Sequence, residues 1–97
     1  MVALGYRYLK LDFMFVGSVE APRYEPNVTS MEAYARACEI LAAAAGDGVY
    51  LLASGEPFLP SAGRFHAART SSDIAGSFPG YATWKMVHNI ARMNAAR

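Results

Sequence analysis

Polar residues that could do chemistry stand in three places along the chain: Lys10 and Asp12, Ser54 and Glu56, Arg69 and Asp73. Each pair follows a short apolar run, where a strand would end. In barrels and open α/β sheets, reacting groups gather at the C-terminal ends of the strands. Two carboxylates facing one pocket are the minimum equipment for cleaving a glycosidic bond: one attacks or activates water, the other protonates the leaving oxygen. Asp12, Glu56 and Asp73 are the carboxylates that these strand ends offer, with Lys10, Ser54 and Arg69 beside them.

The elements that must position these residues can be read from periodicity. Residues Tyr6 to Val16 alternate as a strand, with Leu9, Leu11, Phe13 and Phe15 on one face and Tyr8, Lys10, Asp12 and Met14 on the other. Gly17 to Val28 is a loop punctuated by Gly17, Pro22 and Pro26. Thr29 then opens a helix, and Glu32 completes a capping box. Met31, Tyr34, Ala35, Cys38, Leu41, Ala42 and Ala45 form its apolar stripe, and Gly46 is a left-handed stop.

Val49 to Ser54 reads as a strand buried on both faces. A loop from Gly55 to Gly63, with room for one helical turn, leads to a third strand over Phe65 to Thr70. After a Gly- and Pro-containing connection, a last helix runs from Tyr81 to about Ala95, with Trp84, Val87, His88 and Ala91 on one stripe. Strands alternating with helices predict a parallel sheet. No Gly-rich phosphate fingerprint follows any strand, so nucleotide binding has no motif behind it.

Composition narrows the classes. Nine Lys and Arg against eight Asp and Glu leave a formal charge of +1. The basic residues are scattered, so neither nucleic acid nor an anionic membrane is an expected partner. Cys38 is the single cysteine, the first residues lack a signal-peptide pattern, and no run reaches the length of a membrane span, so the expected compartment is the cytoplasm. His66 and His88 stand apart from other ligand types; no metal or other cofactor is expected. The apolar content of 54% is high for so short a chain and points to a covering partner.

Several motifs together resemble one family. Tyr8-Leu-Lys10-Leu-Asp12-Phe13 is similar to the strand-four signature of α-galactosidases of the melibiase type. Arg23-Tyr24-Glu25-Pro26-Asn27-Val28-Thr29, with Glu32-Ala33-Tyr34, resembles the loop and helix that follow it in bacterial members. Leu51 to Ser61 resembles the fifth strand and its loop, and Ala68-Arg69-Thr70-Ser71-Ser72-Asp73-Ile74 the Arg-x-x-x-Asp element ending the sixth. The resemblance implies Asp12 as nucleophile, Asp73 as general acid/base, and Tyr8, Lys10, Ser54 and Arg69 as sugar contacts of a retaining glycoside hydrolase. Ser54 departs from the family's usual Cys, and Glu56 from a small apolar residue.

A complete (β/α)₈ barrel takes about 250 residues and one βα unit roughly 30. Residues 1–97 therefore supply one partial TIM-barrel domain of three parallel βα units, corresponding to units four to six. Weak activity or none is expected of it alone. A three-stranded sheet with open edges predicts self-association, most simply a homodimer, and the alternative function is a non-catalytic, self-associating structural or sugar-binding module.

Each residue also has a plainer reading. Asp12 could be a strand-end carboxylate paired with Lys10 or Arg69, and Asp73 a turn or helix cap. Arg69 could bind sugar or hold a carboxylate. Trp84 and the histidines fit packing roles, and Cys38 that of a small apolar group.

Overall fold

The computed structural model describes residues 1–71 and 83–95. Its strands are β1 (Tyr8–Leu11), β2 (Tyr50–Ser54) and β3 (Ala67–Arg69), and its helices are α1 (Ser30–Ala45), α2 (Phe58–Ser61) and α3 (Trp84–Ala95). The three strands are parallel in the order β1-β2-β3. The result is a small α/β arrangement around an open parallel sheet, with β1 and β3 at its edges.

The longest helix forms where its cap says it should. Thr29 accepts from the Glu32 amide, and the Glu32 carboxylate accepts in turn from the Thr29 amide at 2.9 Å. This reciprocal box satisfies two donors that a helix start leaves without partners. At the other end, Gly46 takes φ 73° and ψ 170°, a backbone region open essentially to glycine alone. The stop is thus a glycine stop, but not the left-handed helical turn expected.

The core lies between α1 and one face of the sheet. Tyr34 and Cys38 on α1 are buried with Leu51 and Ala53 of β2 and with Val49 just before it, every second residue of the run. Met31 and Leu41, on the expected stripe of α1, remain exposed. The other face of β2 is not covered as expected: Tyr50 is exposed and Leu52 only partly buried. Among the described residues, α1 covers one face of this sheet and no comparable layer covers Tyr50 and Leu52 on the other.

The first strand is shorter than its alternation predicts. Regular pairing ends at Leu11, Phe13 adopts φ 53° and ψ 32°, and a 3-10 turn follows over Met14–Ser18. The Phe15 amide donates to the Gly55 carbonyl at 2.6 Å, which folds the chain over the end of β2. Phe13 and Phe15 therefore leave the sheet and are exposed, at 68% and 49%. The turn then lies against α1 so closely that a Cβ on Gly17 would meet Tyr34 Cδ2 at 3.1 Å.

The expected single turn after β2 is α2, tied to α1 by Arg64, which bonds the Pro60 carbonyl and pairs with Glu39. Among the described residues α3 starts at Trp84; the expected first residues, Tyr81 and Ala82, lie outside them. Thr83 Oγ1 accepts from the Met86 amide at 3.3 Å, and Asn94 bonds Thr70 beyond the end of β3. No residue of α3 is buried, and Trp84 is 88% exposed, so the packing role expected for this tryptophan is not met within the described residues. No helix among them is long and apolar enough to cross a membrane.

Candidate functional site

Strand register brings the expected residues to one face. Tyr8 pairs with Tyr50, Lys10 with Leu52, Leu52 with Ala67, and Ser54 with Arg69. Paired residues of a parallel sheet project to the same side, so Tyr8, Lys10, Ser54 and Arg69 share the face away from the buried core. Asp12 comes one step beyond Leu11, the partner of Ala53, and is level with Ser54. Asp73, the expected acid/base, lies outside the described residues.

At the C-terminal end of β1, Lys10 Nζ stands 3.1 Å from Asp12 Oδ2, both side chains a little under half exposed. The other oxygen, Oδ1, accepts from the Phe13 amide at 3.0 Å. The Asp12 carboxyl is held down to about 2, first by the neighbouring Ser54 hydroxyl, then by Lys10 and the Phe13 amide. Ser54 is fully buried beside this carboxylate, and its Oγ completes no regular hydrogen bond. Asp12 is consequently ionised across the neutral and mildly acidic range, which suits a nucleophile or an electrostatic partner and not a proton donor.

The opposite end of the same face is aromatic. The rings of Tyr8 and Tyr50 stack with centroids 5.4 Å apart, 7° from parallel, and His66 continues the row at 4.9 Å from Tyr50. Gly5, Tyr6, Arg7, Tyr8, Tyr50, Leu52 and Ala67 line an open groove of about 740 Å³ there. Tyr8 thus belongs to the groove and to a cross-strand stack, while Lys10 and Asp12 sit at the far end of the strand.

Other residues act in ways the sequence did not signal. His66 is exposed, but its Nδ1 accepts from the Leu51 amide and its own amide donates to the Leu51 carbonyl, each at 3.1 Å. This leaves the imidazole proton on Nε2. Glu56 does not join Asp12. It lies toward α1, near enough to Tyr34 and Cys38 to oppose their ionisation, although burial is the main force raising both groups. Phe13, whose amide reaches the carboxylate, belongs by its sequence to the apolar face of the strand and to the Tyr8–Phe13 motif; a positive φ at phenylalanine leaves no trace in composition or periodicity.

The described fold and face define an α/β protein with an open parallel sheet and polar groups at its C-terminal rim. No family model matches the chain.

Proposed function

We propose that this chain is an α-galactosidase-like glycoside hydrolase module, equivalent to units four to six of a (β/α)₈ barrel, in which Asp12 is the nucleophile. The observation that carries the reading is the placement of the Asp12 carboxylate at the end of β1, 3.1 Å from Lys10 Nζ and level with Ser54, with Arg69 one strand further on. The motifs around Asp12 and Arg69 supply the choice of a galactoside. In this reading Asp12 attacks the anomeric carbon as Asp73 protonates the departing glycosidic oxygen. Asp73, now ionised, then takes a proton from water, whose oxygen displaces Asp12 from the sugar. Retention requires the two carboxyl groups about 5–5.5 Å apart.

Lys10 and Arg69 are the contacts for sugar hydroxyls, whereas Ser54, which is fully buried, faces the Asp12 carboxylate instead of a ligand. Tyr8 begins the strand about 13 Å from Asp12, at roughly 3.3 Å per residue, and meets only a ligand that extends along the sheet. Three strands hold a sugar less firmly than eight, so turnover by this chain alone is expected to be weak or absent. Two copies joining their open sheet edges is the form of self-association expected.

Release of nitrophenol from an aryl α-galactoside tests the reading. Turnover abolished in both Asp12→Asn and Asp73→Asn supports it, and turnover unchanged in Asp12→Asn refutes it. The second reading, a non-catalytic self-associating module, is favoured by the exposed aromatic row of the open face and by the exposed Trp84 on α3. It predicts no turnover and a dimer by light scattering at micromolar concentration; saturable galactose-induced NMR shifts would mark a sugar binder, and a strict monomer would refute it.

A further inference from the structure

One helix differs from the rest of the molecule in what it leaves open. No residue of α3 is buried. Met86 and Ile90, four residues apart, are its half-buried residues and mark the side turned toward the protein. Trp84, Val87 and Ala91 recur at the spacing of a second stripe, and all three are exposed. At about 100° per residue, His88, Arg92 and Lys85 stand about 40°, 80° and 100° round from Trp84. They border the exposed apolar stripe on one side.

Charge is uneven along the chain although its balance is even. The last acidic residue is Asp73; after it come Lys85, Arg92 and Arg97, with no Asp or Glu among them. Among the described residues the ion pairs engage Lys10, Arg36 and Arg64, and neither Lys85 nor Arg92 joins one. An outward apolar stripe led by tryptophan and flanked by cations without counter-charges is the pattern of a helix that lies in a lipid–water interface.

We propose that α3 docks on an anionic lipid surface, with Trp84, Val87 and Ala91 entering the headgroup layer and Lys85 and Arg92 pairing with acidic headgroups. The net charge of the whole chain does not predict this partner; the segregation of charge onto one helix does. A second copy would offer α3 either its own cationic helix or the sheet groove that Arg7 lines, so that like charges would meet. A nucleic-acid backbone would pair with the cations but leave Val87 and Ala91 in water. An anionic membrane matches both sides of the helix, and its headgroup level is where an indole ring resides best. The 12 residues of α3 span about 18 Å at about 1.5 Å each, enough to lie along a bilayer and too short to cross one. The proposal goes beyond the reading of the sheet face and does not depend on it.

Trp84 is the single tryptophan of the chain, so its emission reports on α3 alone. With vesicles of about one-third phosphatidylserine in phosphatidylcholine, the emission is expected to move to shorter wavelength and the protein to sediment with the lipid. Salt raised toward about 1 M, where the screening length is about 3 Å, should release it. Each lost cation weakens binding roughly fivefold, so Lys85→Glu combined with Arg92→Glu is expected to bind at least about twenty-fold less well. Both side chains are exposed, and an unchanged circular dichroism spectrum checks that this variant is folded.

No shift of the unaltered chain on the anionic vesicles overturns the proposal, as does equal binding to phosphatidylcholine alone or undiminished binding of the double variant. A blue shift that grows with protein concentration in the absence of lipid assigns the stripe to a second copy and overturns it too. Binding to duplex DNA without binding to vesicles assigns the cations to nucleic acid, with the same consequence.

Discussion

The two faces of the sheet differ sharply in what covers them. Leu51 and Ala53 of β2, with Val49 just before it, are buried with Tyr34 and Cys38 of α1, whereas Tyr50 and Leu52, their neighbours in sequence, look out from the opposite face. The same backbone thus presents a packing surface and a working surface one residue apart. On the first, side chains are apolar and ionisable groups are pushed toward neutrality by burial, as at Cys38. On the second, Lys10 and Asp12 pair at 3.1 Å with both side chains reached by water, and Ser54, Lys10 and the Phe13 amide hold the Asp12 carboxyl low. A covered face stabilises the fold, and an uncovered one leaves charged groups available to a ligand.

Substitution along β2 measures that difference most directly. Leu51→Ala should lower stability by about 2–5 kcal/mol in denaturant unfolding, the range for a buried leucine, and Leu52→Ala by clearly less. Equal losses would mean that the outer face is also covered in solution, as a dimer would cover it, and a dependence on protein concentration would then appear.

Gly17→Ala probes the covered side from the loop. The added Cβ meets the Tyr34 ring at 3.1 Å, so the ring or the turn must give way; overpacking of this kind costs about 1–3 kcal/mol. An unchanged midpoint would show that Tyr34 is not firmly packed. Thr29→Ala removes the capping box of α1 and should cost about 1 kcal/mol, with loss of helical ellipticity on heating.

The smallest effect belongs to the open face. The Asp12 carboxyl is lowered from 3.8 to about 2, so its contribution to stability is fully present above the unfolded value and is lost as pH falls through the folded one. Solvent screens an exposed pair, so the effect is small. Asp12→Asn should flatten the stability–pH curve between about pH 4 and 2; an identical curve would show that the Lys10 and Ser54 contacts do not form in solution.

Much of the frame was legible. Thr29 and Glu32, Gly46, the short run ending at Ser54 and the βα alternation are local signals, and each reflects a backbone preference or a capping bond within a few residues. The alternation of Lys10 and Asp12 likewise placed them on one side of a strand. Phe13 and Phe15 were misplaced because the Phe15–Gly55 bond joins residues distant in the chain and overrides the period. Burial of β2 on both faces was misread because an apolar run does not record how many layers are available to cover it. Trp84 fits an apolar stripe on its helix, but a stripe does not specify what lies against it.

The amino-acid sequence by itself therefore determined the order of strands and helices and placed Lys10, Asp12 and Ser54 near the ends of strands, because these depend on propensities, caps and alternation along a short stretch. Only the tertiary structure decided which face of the sheet is covered, that Ser54 comes level with Asp12, and that the Phe13 amide turns back onto the carboxylate. Those outcomes depend on register between strands and on a bond from Phe15 to Gly55, contacts whose energy exists only once distant parts of the chain have met.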